Sequence, residues 1–204
     1  MYVPKANEVT DESEVRDLVR AIGAGELVTV DGDGLPQATL LPVLWDADVV
    51  VAHMARANPH WRSVEDDAPC LVVVTGAQAY VSPSWYAAKP EHGRVVPTWN
   101  YSAVHLRGTV RVHEDPAWLR EAVTSLTERH EAGRADPWSV GDAPEAFVEG
   151  QLRGIVGLEV RVTEAVGKAK LSQNRSEADR RGVLEGLAHE PGADAAEVAR
   201  AMAT

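Results

Sequence analysis

Val15, Leu18, Val19 and Ile22 recur at helical intervals behind Asp11 and Glu14, which stand at capping-box separation. The spacing predicts an amphipathic helix over roughly 13 to 23 that stops at Gly23 and Gly25. Apolar positions then fall into short runs, Leu27 to Val30, Ala38 to Trp45 and Val49 to Ala52. The turns between them are Asp31-Gly32-Asp33-Gly34 and Asp46-Ala47-Asp48. Three strands joined by Asp/Gly-type turns predict an antiparallel meander. Leu71 to Val81, Thr98 to Val112 and Ile155 to Val162 read as three further strands. Asp115 with Pro116 opens a second amphipathic helix, carried by Trp118, Leu119, Ala122, Val123 and Leu126 and ending near His130. A shorter helix is expected near Ala143 to Leu152, and one or two more after Ser176.

Strands dominate and no βαβ alternation appears. The expected fold is mainly β with peripheral helices, a small barrel that is closed or partly split. With 204 residues, 45% of them hydrophobic, the chain is long enough for one well-buried domain. We therefore expect a single domain over 1–204 with a C-terminal helical extension over about 176–204.

No run of about 18 apolar residues occurs, and the first segment, MYVPKANEVTDESEV, carries proline and acids where a signal peptide needs an apolar stretch. The expectation is a cytoplasmic protein with no membrane contact. The single cysteine, Cys70, lies in the apolar run Cys70-Leu71-Val72-Val73-Val74 and reads as a small hydrophobe. A formal charge of −11 repels nucleic acid over most of the surface. Residues 176 to 203 have helix-turn-helix spacing, but the densest basic stretch there is Asp179-Arg180-Arg181 and the last helix offers only Arg200. Direct DNA binding is therefore not expected.

The chain has no P-loop, no GxGxxG after a strand, no HExxH, no CxxC pair and no GxSxG, and its histidines never fall at zinc-site spacing. What stands out are polar and aromatic clusters at strand ends: HMARANPHW at 53 to 61, AYVSPSWY at 79 to 86 and VPTWNYSAVH at 96 to 105. Polar groups beside Trp and Tyr suit a planar, charged ligand. Arg56 and Asn58, with Ser82, Ser84 and Lys89, suit a phosphate, and Trp61, Trp85, Trp99 and Tyr101 suit a ring. His53, Met54, Thr98 and Asn100 belong to the same clusters. The alternative is that the aromatics are barrel core and the prolines fix turns.

MYVPK at 1 to 5, HMARANPHW, AYVSPSWY, VPTWNYSAVHLRG at 96 to 108, GIVGLEV at 154 to 160 and GKAKLSQNRS at 167 to 176 resemble, in order, the successive blocks of the PaiB family. The resemblance runs to about residue 187. It implies an FMN-binding split β-barrel of the pyridoxamine-phosphate-oxidase-like kind, a flavoprotein whose homodimer holds FMN at the subunit interface. It also implies a negative transcriptional regulator.

Ala52 stands where the family has glycine, and Gly76-Ala77-Gln78 where it has Gly-Pro-His. The family also includes haem-dependent, piperazate synthase-like proteins. That gives His53 an alternative role as axial ligand of haem b, its only role toward a metal, and a flavin-dependent oxidoreductase is a further alternative. On either ligand Lys170 would meet the phosphate or propionate, against the plainer reading of a solvated strand-end lysine. Gln173 and Asn174 would complete a polar wall there or cap the helix near Ser176.

Overall fold

The computed structural model describes residues 1–203; Thr204, the final residue of the expected extension, lies outside the described residues. Among the described residues there are one eight-stranded, mainly antiparallel sheet and six α-helices. β1 (Glu8–Val9) is a short N-terminal strand, followed by α1 (Glu12–Ile22), whose Val15 and Val19 are buried. β2 (Ala24–Val30) and β3 (Pro36–Pro42) form the hairpin that the Asp/Gly turn prescribes, from Ala24 opposite Pro42 to Val30 opposite Pro36. Asp31 closes that turn by accepting the N–H groups of Asp33 and Leu35, and Gly34 takes the left-handed backbone that the turn requires.

The expected strand from Ala38 to Trp45 is in fact two, and the meander stops there. β4 (Leu44–Asp46) pairs with β5 (Val49–Ala55), not with β3. Pro42 has no N–H for a continuing ladder. Val43, buried, gives its own N–H to the Gly23 carbonyl at 3.0 Å, and the chain turns a corner.

The strand order is β3-β2-β6-β7-β8-β5-β4, with β6 (Ala68–Val81), β7 (Thr98–His113) and β8 (Ile155–Lys170) as the three long members. β3 and β4 stand at opposite ends of this order, yet Val43 alone separates them in the chain. Neighbouring Cα atoms are about 3.8 Å apart, so the ends of the sheet meet at that residue. Among the described residues β3 and β4 do not pair with each other, so the sheet is not closed, as in a split barrel.

β8 continues well beyond the expected Val162. Its extension is held by β1, with Lys168 opposite Glu8 and Val9 opposite Gly167. A Cβ on Gly167 would come within 2.8 Å of Val15 and 3.0 Å of Val9, so the missing side chain lets the N-terminal segment close on the strand.

α2 (Ala88–His92) is a short helix the pattern did not foretell. α3 (Pro116–Glu131) starts as expected, with Asp115 accepting from the Trp118 N–H, and α4 (Glu145–Leu152) follows. α5 (Glu177–His189), capped by Ser176, and α6 (Ala193–Ala203) close the described chain.

Contacts gather the chain into two compact units. One holds Met1–Val15, Thr75–Val104 and the chain from Val166 onward; the other holds Arg16–Val74 and His105–Ala165. The first has a core of Val81, Tyr86, Leu171, Val183, Leu187 and Val198. The second buries Leu27, Val50, Met54, Val72, Leu106 and Leu158 between its strands. Each such side chain contributes about 1.5–3 kcal/mol on leaving water.

Candidate functional site

In the second unit, β5 alternates between Val50, Ala52 and Met54, all buried, and Val49, Val51 and His53 on the opposite face. Met54 is thus core. His53 lies directly opposite Gly157 of β8. A Cβ on Gly157 would fall 2.0 Å from the Trp118 ring, so this face of the sheet is the one that carries α3. Burial holds the His53 imidazole below its ordinary pKa of 6.5, and its Nδ1 is enclosed with no hydrogen-bond partner.

Beyond β5 the chain tightens. Arg56 forms an ion pair with Glu114 and donates from Nε to the Arg153 carbonyl at 3.0 Å. Trp61 donates from Nε1 to the Arg56 carbonyl at 3.0 Å, and the guanidinium groups of Arg56 and Arg62 lie 5.8 and 5.2 Å from its ring centroid. Asn58 caps the 3-10 turn Pro59–Ser63 by accepting the His60 N–H. His60 is buried with one ring nitrogen on the Thr29 hydroxyl and the other on Thr39, each at 2.8 Å. Arg56, Glu114, Arg120, Arg153 and Leu152 border an open cavity of about 710 Å³. Of the residues expected here, only Arg56 faces it; Arg120 is itself paired with Glu145.

The other candidates lie in the first unit. Ser82 caps the turn Pro83–Trp85, and Ser84 accepts from Lys89 at 3.0 Å. The Trp85 ring lies against Gly186 of α5, where a Cβ would approach it to 2.2 Å, and its carbonyl lies against Gly182. Asn100 is fully buried and donates to the Ser172 hydroxyl at 3.0 Å and the Met202 sulfur at 3.4 Å. Gln173 is turned inward on its own segment, accepting from the Leu171 N–H and donating to the Ala169 carbonyl.

Trp99 is different: it is 46% exposed beside Tyr80, at 6.3 Å between ring centroids, with its indole N–H given to Gln78 at 3.0 Å. Gln78 therefore holds the exposed tryptophan. Lys170 donates to the Thr98 hydroxyl.

Lys168, two residues earlier, was not foreseen. It is 8% exposed, donates to the Tyr2 carbonyl at 3.2 Å and lies 5.0 Å from the Tyr101 ring centroid. Among the described residues neither lysine has a carboxylate partner. The signal was present in GKAKLSQNRS, which carries both lysines, but a lysine in an unrecognised strand reads as solvated. The first unit thus holds two ammonium groups without a carboxylate partner among the described residues and, on β6 and β7, the exposed Tyr80 and Trp99 rings.

The model of the family described as "Putative FMN-binding domain" matches residues 1–164. Protease synthase and sporulation protein PAI 2 of Bacillus subtilis (strain 168) is 36% identical over 206 residues, 99% of this chain and 96% of that protein. The chain belongs to this PaiB-type family. The uncharacterized protein AN0679 of Emericella nidulans is 29% identical over 226 residues, 92% of this chain and 90% of that one. Among solved structures, the FAD and heme binding protein from Mycobacterium smegmatis superposes with a TM-score of 0.60 at 21% identity, covering 80% of this chain and 73% of that one. The conserved hypothetical protein Rv2991 from Mycobacterium tuberculosis gives 0.62 at 15% identity, covering 87% and 95%. At those identities the likeness is one of fold, and the PaiB-type fold here is the split barrel with peripheral helices.

Proposed function

We propose that this PaiB-type protein binds FMN as a homodimer and acts in gene regulation through a partner, without gripping duplex DNA itself. The observations that carry the flavin reading are the Lys170 ammonium, held only by the Thr98 hydroxyl among the described residues, and the exposed Trp99 and Tyr80 rings of the neighbouring strands, in a chain of this family. A phosphate needs a cation that no carboxylate already satisfies, which favours Lys170 over Arg56, whose guanidinium is engaged by Glu114. An isoalloxazine ring needs an aromatic face to lie on, and the exposed Trp99 ring, tilted 59° to Tyr80, offers one. Bound FMN supplies reversible redox chemistry; the residues named here bind and orient it.

The dimer is supported by apolar side chains left in water, Val30, Leu35 and Leu40 on the β2–β3 hairpin, which a second copy would cover. The indirect regulatory role is supported by the C-terminal helices. Arg180 is engaged with the Met202 carbonyl at 2.7 Å, Arg200 is paired with Glu197, and the charge is −11. Cytoplasmic residence is part of the same reading.

One observation favours haem as a second reading, namely the neutral His53 imidazole with a nitrogen that nothing in the chain uses. The absorption spectrum of freshly purified protein decides between the two. Maxima in the blue are expected for flavin, a Soret band overturns that reading in favour of haem, and a spectrum that stays featureless after titration with FMN and haemin removes both.

A further inference from the structure

We propose that the Lys168 ammonium is a buried anchor for an anionic group of the ligand, which on the flavin reading above is the FMN phosphate. Lys168 is 8% exposed; its ammonium meets the Tyr2 carbonyl at 3.2 Å and the face of the Tyr101 ring at 5.0 Å, while Glu8, its cross-strand partner, is exposed and makes no ion pair with it. An ammonium has three donors, so the chain leaves this one short of acceptors. No carboxylate lies within ion-pair distance among the described residues. Burying a cation without an anion costs stability, and proteins retain such a group where a counter-charge arrives from outside.

Lys170 lies two residues along the same strand and is likewise held only by a neutral hydroxyl, that of Thr98. A phosphate monoester carries about −1.5 to −2 charges at neutral pH, which two ammonium groups match. The N-terminal segment belongs to the same construction. Glu8 and Val9 pair with Lys168 and Gly167, and this pairing brings the Tyr2 carbonyl to the Lys168 ammonium. The Tyr2 bond holds Lys168 in place until the anion takes up its remaining donors.

The test uses the full chain with FMN, riboflavin and inorganic phosphate as probes. Lys168→Gln keeps an N–H for the Tyr2 carbonyl and removes the charge; Lys168→Met removes both. Fluorescence titration should show FMN affinity falling about tenfold to a hundredfold in either variant, the range of a charge-assisted hydrogen bond. Affinity for riboflavin, which lacks the phosphate, should stay unchanged. In phosphate-free buffer without flavin, Lys168→Met should melt at or above the wild-type temperature, because an uncompensated buried charge has gone.

Equal losses for FMN and riboflavin, or no loss for either, overturn the anchor and leave the flavin reading standing. If the wild type binds no flavin, that reading falls and inorganic phosphate judges Lys168 alone. A phosphate-dependent rise in melting temperature that both variants lose sustains the anchor; a rise that they keep, or none in the wild type, overturns it. A chain that folds with neither substitution assigns Lys168 to the architecture and also overturns it.

Discussion

The Trp118 ring occupies the space that a side chain on Gly157 would need, a Cβ there falling 2.0 Å from the ring. Trp118 also stacks on His113 at 4.1 Å and 6°, and His113 in turn holds Glu159 at 3.0 Å. The glycine is therefore the seat of α3 on the sheet. Gly157→Ala should destabilise the protein by about 3 kcal/mol or more, the upper range for overpacking. The same substitution should cost markedly less in a Trp118→Ala background, because the two residues share one space. Urea unfolding of the four proteins checks this, and additive losses would contradict it.

His60 gives a pH prediction with a definite sign. Burial lowers its pKa below the ordinary 6.5, and the Thr29 and Thr39 hydroxyls use both ring nitrogens of the neutral form. His53 and His105 are lowered by burial as well. The unfolded chain takes up protons first as pH falls, so stability is full above 6.5 and is lost as pH drops through the folded values. His60→Gln, which can still bond both threonines, should show a shallower loss over that window. Urea midpoints measured at a series of pH values give the slopes, and parallel slopes would exclude His60 as a source.

Cys70 should be inert in the native state. Burial pushes its thiol up to about 12, so almost no thiolate is available at neutral pH. A thiol reagent should react with one equivalent only after denaturant is added. Rapid labelling of the folded protein would mean that β6 opens at low cost.

The hairpin of β2 and β3, the cap of α3 and the buried Cys70 were all legible in the sequence, because each rests on local chemistry: an Asp/Gly turn, an Asp-Pro start, an apolar run. The corner at Val43 was not. Pro42 gave a hint, but a proline at a strand end and a proline at a barrel corner look alike until the partner strand is known. The second half of β8 was hidden for a related reason. Thr163 to Gly167 has little strand character of its own, and the strand's far end, at Gly167 and Lys168, pairs with β1, far away in sequence. Lys168 was lost with it. The polar clusters were found as sequence, yet side-chain direction divides them: Met54 and Asn100 point into cores, while Trp99 is half exposed and Lys170 is only partly buried on the Thr98 hydroxyl.

Asn100 should report on stability before ligand affinity. Its amide reaches the Ser172 hydroxyl and the Met202 sulfur, and Ser172 has a left-handed backbone at φ 62, which costs energy for a residue with a side chain. Removing the amide leaves the Ser172 hydroxyl with no partner in the core. Asn100→Ala should lower unfolding free energy by about 1–3 kcal/mol while FMN affinity stays within about twofold of wild type in the folded fraction. Loss of flavin binding with unchanged stability would instead place Asn100 at the ligand.

Arg56 and Lys170 are both cations in blocks shared with the family, and their surroundings predict opposite results. The Arg56 guanidinium already has the Glu114 carboxylate and the Arg153 carbonyl, so a phosphate would have to compete with both. Lys170 has only the Thr98 hydroxyl, a neutral partner that can stay in place when an anion arrives. Lys170→Ala should therefore weaken FMN by about 1.5–3 kcal/mol, the worth of a charge-assisted contact, and Arg56→Ala by less than about 0.5 kcal/mol. His53→Ala should leave the flavin titration unchanged and abolish any histidine-type haem spectrum, since an imidazole bonds iron but adds no charge to a phosphate site. Fluorescence quenching with FMN and Soret titration with haemin, run on all three variants, separate these outcomes. If Arg56→Ala proves the more damaging to FMN, the ligand lies along the cavity that Arg56 borders, and the Lys170 site belongs to the architecture of β8.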